Sequence, residues 1–511
     1  MILSIDAGTQ SIRASLIDEK GNIVALKKTP IIPYHSPQAG WAEQDPEYYW
    51  DNTCSTIKSL LAKQDAEIEG VVITTQRGTV INVDNEGKPL RPAIVWLDQR
   101  KAKMENYPSP FLKTVMKGLG LYDIVEHAIL ESESNWIRQN QPEIWDKTYK
   151  YLFLAGYFHF KLTGQYKEST GNMVGFVPFD HKKHQWAKPS DQKHRIFNIP
   201  INKLPELVNP SERIGYITPK ASKATGIPEG VPLFAGASDK ACEMLGAGVH
   251  SPNIGCLSFG TTATISTNIP SYKEVIPFFP SYSSAIKETN NTEIMIYRGF
   301  WMISWFKKEF GHQEILQAEE MNVPPETLFE EMIKEIPAGS MGLTLQPFWS
   351  PGIKNPGREA KGSIIGFGDV HTKAHIYKAI LEGISYALKK GAQQTEKKTG
   401  FKMTELRVSG GGSQSDTAMQ LTADIFNLPT HRPHTFETSS LGAAMLGYIG
   451  LGKHTLNTAI KEMTRFEKTF HPQPKEVQTY QKLYNEVYLK IYPQLQPLYK
   501  KIQKITGYPK K

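Results

Sequence analysis

Cysteine is scarce in this chain: Cys54, Cys242 and Cys256 are the only three among 511 residues, and no two form a Cys-x-x-Cys pair. A disulfide scaffold is therefore excluded, and a zinc site of the usual ligand type has no framework. A reducing compartment fits. Long apolar runs are also missing, since no stretch reaches the roughly eighteen residues of a membrane-spanning helix. The opening from Met1 to Asp18 lacks the charged region, apolar core and cleavage site of a secretory leader. A cytoplasmic protein with no membrane partner is the expectation. Nor is there a large excess of one charge: 59 Lys+Arg against 51 Asp+Glu leave +8. The positive charge is spread out except at the basic end formed by Lys500, Lys501, Lys504, Lys510 and Lys511, which argues against nucleic acid as a partner.

What remains, 40% hydrophobic and 22% charged residues, is the balance of a globular chain long enough for two or three cores. Ile2 to Ile5, the polar turn Asp6-Ala7-Gly8-Thr9-Gln10-Ser11, and Ile12 to Ile17 read as strand, turn and strand. Asp45 as N-cap and Pro46 at the first helical position start an amphipathic helix through Tyr49, Trp50, Ile57, Leu60 and Leu61. Gly70 to Thr75 is a buried strand. Near the middle of the chain the pattern returns: strand 231–235, a helix from Ser238, then Cys256 to Phe259, the turn Gly260-Thr261-Thr262, and Ala263 to Ile265. This echo suggests a duplicated two-lobe design with the boundary in the Gly, Ser and Pro cluster near 246–252, giving lobes of 1–247 and 248–511. A long helix from His375 to Thr399, a strand 406–409 ending in Gly410-Gly411-Gly412, and helices at 419–426 and 480–502 complete the second half.

Several of these turns can carry chemistry. Asp6 beside a Gly-Thr turn offers a carboxylate for hydrated Mg²⁺ and N–H groups for phosphate, with Arg13 in reach of the same anion; a plain hairpin has the same residues. The turn is neither Gly-x-Gly-x-x-Gly nor a P-loop, so dinucleotide and P-loop chemistry lose ground. Asp239 starts a helix after a strand, where it serves either as a cap together with Ser238 or as a general base for a hydroxyl attacking a γ-phosphate. The glycines at 410–412 are either a flexible turn or a close approach for an adenine or phosphate. Gln76, Arg77 and Gly78 follow one strand and Trp96 another, which suits a polyhydroxylated ligand with polar edges and an apolar face; core packing also accounts for Trp96.

Taken in order, Asp6-Ala7-Gly8-Thr9-Gln10-Ser11-Ile12-Arg13, Gly40-Trp41-Ala42-Glu43-Gln44-Asp45-Pro46, Thr75-Gln76-Arg77, Ala93-Ile94-Val95-Trp96-Leu97-Asp98, Gly236-Ala237-Ser238-Asp239, Phe259-Gly260-Thr261-Thr262, Val408-Ser409-Gly410-Gly411-Gly412 and Ser440-Leu441-Gly442-Ala443-Ala444 resemble the FGGY family of carbohydrate kinases. The resemblance implies an α/β fold of two actin-like (ribonuclease H-like) lobes with an interlobe active-site cleft, ATP and Mg²⁺ as cofactors, and a small carbohydrate as substrate. A homodimer is consistent with it. By position, Asp239 matches the catalytic base, and Asp6 with Asp239 the Mg²⁺ site. Gly8, Thr9, Gln10, Ser11 and Arg13 match residues facing the transferring phosphate; Gly260, Thr261 and Thr262 match the nucleotide phosphate turn, and Gly411 and Ser415 the nucleoside site. Gln76, Arg77, Gly78, Trp96, Asp239 and Lys240 match substrate contacts. Glycerol kinases have a glutamate at Gly78 and a glutamine at Lys240, and xylulokinases usually show a Met-His pair near Arg77, so no one sugar, polyol or acid is singled out. Residues Arg298 to Trp305 depart from the family's Gly-rich segment, and no nucleotide contact carries over there. Lys240 and Arg298 suit an acidic or ketose substrate, or are simply solvated. The alternative is an actin-like ATPase or nucleotide-dependent binding protein, which needs no sugar pocket.

Overall fold

The computed structural model describes residues 1–105, 107–119, 121–277, 279–350 and 356–508; Lys510 and Lys511 of the basic end lie outside them. Two compact units emerge, one of residues 1–250, 269–291 and 437–464, the other of 251–268, 292–436 and 465–511. The chain first passes between them within the 246–252 cluster, then returns to the first unit twice.

In the first unit, strands β1 (Ile2–Ala7), β2 (Ser11–Ile17), β3 (Ile23–Pro30), β4 (Gly70–Thr75), β5 (Arg213–Tyr216) and β6 (Pro232–Phe234) form a sheet in the order β5-β6-β4-β1-β2-β3. Strand β1 runs parallel to β4 and antiparallel to β2. Helix α1 (Pro46–Leu61) begins as expected, with the Asp45 carboxylate accepting from Glu47 N. Strict alternation assigns the sheet's two faces. Leu3, Ile5, Val71, Ile73 and Leu233 join Tyr49 and Ile57 of α1 in one core, whereas Ile2, Val72 and Phe234 join a second core on the opposite face. That second face is covered by α2 (Asp239–Gly246) and by helix Thr438–Gly450, which arrives from far along the chain. The same alternation carries Asp6 and its register partner Thr74 onto the face occupied by α2.

The second unit repeats the design. Strands β7 (Ile254–Phe259), β8 (Ala263–Ile269), β9 (Asn290–Ile296), β10 (Glu405–Ser409), β11 (Thr430–Pro433) and β12 (Phe466–Phe470) lie in the order β12-β11-β10-β7-β8-β9. Here too the first strand pairs antiparallel with its successor and parallel with a later one, β10. The echo of strand, Gly-Thr turn and strand is thus a repeat of sheet order. Leu257, Phe259, Leu406 and Val408 pack with Ile380 and Ile384 of α3 (Lys373–Thr399) and Met419 and Ile425 of α4 (Asp416–Phe426). Helix Thr438–Gly450 is α5. Among the described residues no helix is long and apolar enough to cross a membrane.

Candidate active site

The Asp6 turn of the first unit is tight because Gly8 N donates to Ser11 O at 3.1 Å. Asp6, at the end of β1, is 3% exposed and accepts from Arg13 Nη1 at 2.9 Å. Arg13 also reaches Glu437 at 3.3 Å. Burial pushes the Asp6 carboxyl up to about 6; Arg13 opposes this and Asp239 adds to it. Asp239 opens α2. Its Oδ1 accepts from Lys240 N at 2.7 Å, while Ser238, the residue expected to share the capping, makes no side-chain cap. Desolvation raises the Asp239 carboxyl above its ordinary value, whereas the Arg77 and Lys240 cations pull it down. A carboxylate raised by its surroundings beside a second raised carboxylate is the electrostatic pattern of a site built to receive protons or a cation.

Trp96 and Gln76, read as sugar contacts, join Thr9 of the phosphate-facing turn in one chain of contacts. Trp96, 51% exposed, donates its indole N–H to Thr9 Oγ1 at 3.0 Å; Thr9 donates to Gln76 Oε1 at 2.9 Å; and Gln76 Nε2 donates to Tyr49 OH at 3.1 Å. Core packing therefore does not account for Trp96. Gly78 lies beside it at φ 68°, where an added Cβ would stand 3.6 Å from Trp96 Cβ; left-handed backbone favours glycine there. Arg77 lies over the Tyr282 ring, 5.7 Å from its centroid. Lys240 pairs with Glu243 at 2.7 Å, so its charge is locally compensated.

Three of these partners escaped sequence reasoning. Tyr49 reads as a core residue of an amphipathic helix, and Tyr282 and Glu437 lie on returning segments. The Ser440 to Ala444 motif was visible, and its physical role appears only in three dimensions. A Cβ on Gly442 would fall 2.0 Å from Cys242 O, and one on Gly246 would fall 2.0 Å from Thr438 O, so α2 and α5 touch backbone to backbone.

On the second unit, Gly260 O accepts from Phe300 N at 3.0 Å and Thr261 O from Trp301 N at 3.3 Å, while Thr262 Oγ1 donates to Tyr297 O at 3.3 Å. The 297–301 segment thus buttresses the Gly-Thr turn. Arg298 lies over the Trp301 ring, 4.7 Å from its centroid, and donates to Ser350 at 3.3 Å. Residues 411–414 form one 3₁₀ turn, pinned by Arg432 Nε donating to Ser413 O at 2.7 Å. The three glycines divide the work. A Cβ on Gly410 or Gly412 would meet Phe259 or Phe300 within 3.0 Å, whereas one on Gly411 has nothing within 4 Å. Ser415 caps α4, accepting from Ala418 N at 3.0 Å. Open backbone at Gly411 followed by a helix N-terminus suits a nucleotide.

Comparison with known proteins points one way. Residues 1–246 match the N-terminal domain, and 257–451 the C-terminal domain, of the FGGY family of carbohydrate kinases. The chain is 28% identical to a xylulose kinase of Lactococcus lactis, covering 96% of each. It is 29% identical to a glycerol kinase of Thermococcus gammatolerans, covering 95% of this chain and 96% of that one. The structure of a gluconate kinase from Lactobacillus acidophilus superposes with a TM-score of 0.82 at 25% identity, covering 98% and 99%.

Proposed function

Because the chain belongs to the FGGY family of carbohydrate kinases, we propose that Asp239 is the base that takes the acceptor hydroxyl's proton as that oxygen attacks the γ-phosphate of ATP. The enzyme is a phosphotransferase with an alcohol acceptor, its donor is ATP, and its acceptor is a small carbohydrate. The expected actin-like α/β fold accompanies that membership. The sugar-independent ATPase alternative receives no support from these likenesses.

The observation that carries the role of Asp239 is its setting. It opens a helix, its carboxyl is raised by desolvation, and the cations of Arg77 and Lys240 act on it. A raised carboxyl is a stronger proton acceptor once ionised. On this reading the first unit holds the sugar, with Gln76 and Trp96, both bonded to Thr9, presenting polar edges and an apolar face and Arg77, Gly78 and Lys240 completing the surround; the second unit holds the nucleotide through Gly260, Thr261, Thr262, Gly411 and Ser415. Gly8, Gln10, Ser11 and Arg13 face the transferring phosphate. Asp6 and Asp239 are the residues that fit Mg²⁺: the Asp239 charge adds to the desolvation that raises the Asp6 carboxyl, and a divalent cation relieves that repulsion. With two carboxylates from the protein, water and phosphate oxygens would complete the coordination of such a cation. When bound, Mg²⁺ neutralises charge on the phosphates.

The deciding experiment is a coupled ADP-release assay with Mg·ATP against polyols, ketoses, aldoses and sugar acids. One acceptor class is expected to stimulate ADP release well above the rate without sugar; an equal rate with every acceptor would refute the reading. Two variants separate the two substrates. Trp96→Ala is expected to raise the acceptor's KM roughly tenfold, as expected for about 1.4 kcal/mol of lost aromatic contact, with the KM for ATP unchanged. Gly411→Ala, whose methyl meets no protein atom, is expected to leave the fold intact and raise the KM for ATP alone.

A further inference from the structure

The loop that carries Asp239 is held by its neighbours more tightly than its sequence suggests. Gly236 has no room for a side chain, a Cβ there falling 2.0 Å from Ile73 O. Thr74 Oγ1 donates to Ala237 O at 2.8 Å. On the other side a turn at 169–172 closes on the same three residues. Ser169 Oγ donates to Gly236 O at 2.6 Å, Ser238 N donates to Gly171 O at 3.1 Å, and a Cβ on Gly171 would meet Ala237 Cβ at 2.7 Å. The turn is itself organised by one side chain. Glu168, fully buried, accepts through Oε1 from Ser169 N at 2.8 Å and from Asn172 Nδ2 at 2.8 Å. Its Oε2 faces the Gly156 backbone N–H without a hydrogen bond of good geometry, and the residue lines a cavity of about 10 Å³ together with Tyr151, whose hydroxyl is unpartnered. A carboxyl sequestered at such cost needs a reason beyond packing.

We propose that Glu168 is a positioning residue for phosphoryl transfer: through the Ser169 to Asn172 turn it fixes the backbone of Gly236 to Ser238 and so aims the Asp239 carboxylate. The inference rests on Asp239 being the base. Burial pushes the Glu168 carboxyl up to about 7, against hydrogen bonds from Asn172, Ser169 and Gly156 that favour the charged form. The titratable groups packed against it do not offset this. His159 lies 4.0 Å away, is held neutral by burial that lowers it to about 4, and bonds through Nδ1 to Lys167 O at 2.9 Å. Tyr151 is pushed well above its ordinary value. A folded-state carboxyl raised from 4.5 to about 7 binds a proton that the unfolded chain has released. Its contribution to stability is therefore greatest below about 4.5 and falls as pH rises toward 7.

The test compares Glu168→Gln, which keeps the size and the Oε1 acceptor but cannot titrate, with Glu168→Leu, which keeps only bulk. Glu168→Leu is expected to lower kcat roughly 10- to 100-fold, the scale of a small misplacement of a reacting group, with both KM values within about threefold of the parent. Glu168→Gln is expected to retain the parent's kcat and to lessen the decline in thermal stability between pH 4.5 and 7, to which Asp6, Glu133 and Glu382 also contribute. If Glu168→Leu fails to fold, Ser169→Ala, which removes one bond to the loop, reads the same effect as a several-fold drop in kcat alone. An unchanged kcat in a folded Glu168→Leu or Ser169→Ala, or kcat and both KM values moving together, overturns the proposal. Asp239→Asn in parallel distinguishes the two failures: if it stays active, the base assignment falls first.

Discussion

Asp239→Asn is expected to lower turnover by roughly 10²- to 10⁴-fold, the usual loss when a general base is removed, while fold and ATP affinity stay close to the parent's. The amide keeps the volume of the carboxylate, and its Oδ1 can still accept from Lys240 N, as Asp239 does at 2.7 Å. The negative charge at the start of α2 is lost, which costs on the order of 0.3–1 kcal/mol at a helix N-terminus. Asp6 is raised chiefly by desolvation, and removing the charge ends the smaller Asp239 contribution, which offsets part of that cost. What the amide cannot do is take a proton from a hydroxyl at neutral pH. Single-turnover ADP formation with saturating acceptor, alongside calorimetric titration with ATP, checks both halves. Parent-like turnover would remove Asp239 from the reaction, and lost ATP binding would mean that the residue acts through the nucleotide instead.

The largest effect on stability is expected from Gly442→Ala. The new methyl would lie 2.0 Å from Cys242 O and 2.9 Å from Gly246 N, both backbone atoms of α2, so no side-chain rotation can make room. The helices must part, at about 3 kcal/mol or more, since overpacking a well-packed core typically costs 1–3 kcal/mol and rigid backbone cannot yield. Because α2 begins at Asp239, the same movement displaces the base, and turnover is expected to fall with stability. Gly452→Ala is the control. It has nothing within 4 Å and φ 74°, so it carries only the backbone strain of about 1 kcal/mol. Urea midpoints followed with a probe in the first unit, together with kcat, would check this; equal shifts for the two variants would contradict backbone contact between α2 and α5.

Local chemistry explains what was legible from the residues alone. The Asp45-Pro46 start of α1, the buried run of β4 and the two strand-turn-strand units follow from capping, period-two alternation and turn residues, which act over a few positions. The sequence puts Thr9 beside the phosphate and Gln76 and Trp96 beside the sugar; that the three bond to one another depends on β1, β4 and a later loop meeting in space. Ser440 to Ala444 enters only through the family resemblance, and no local rule says which backbone Gly442 admits. Glu168 gave no signal at all, because a glutamate between Lys167 and Ser169 reads as surface until the fold buries it. Lys240 and Arg298 looked available to an acidic ligand. Glu243 in one case, and Trp301 with Ser350 in the other, turned out to be their neighbours.

The late arrival of α5 has a consequence for biosynthesis. Ile2, Ile17, Val72 and Phe234 pack against Leu441, Ala443, Met445 and Leu446, and the segment that supplies this cover begins roughly 190 residues after His250. At ordinary rates of translation that gap is on the order of ten to forty seconds. Throughout it the nascent first unit has α2 on that apolar sheet face but lacks the second covering helix, so an N-terminal unit cannot complete its fold until residues 437–464 have been made. A ribosome stalled before residue 437 would display that face to chaperones, and release of the chain beyond residue 464 would withdraw it.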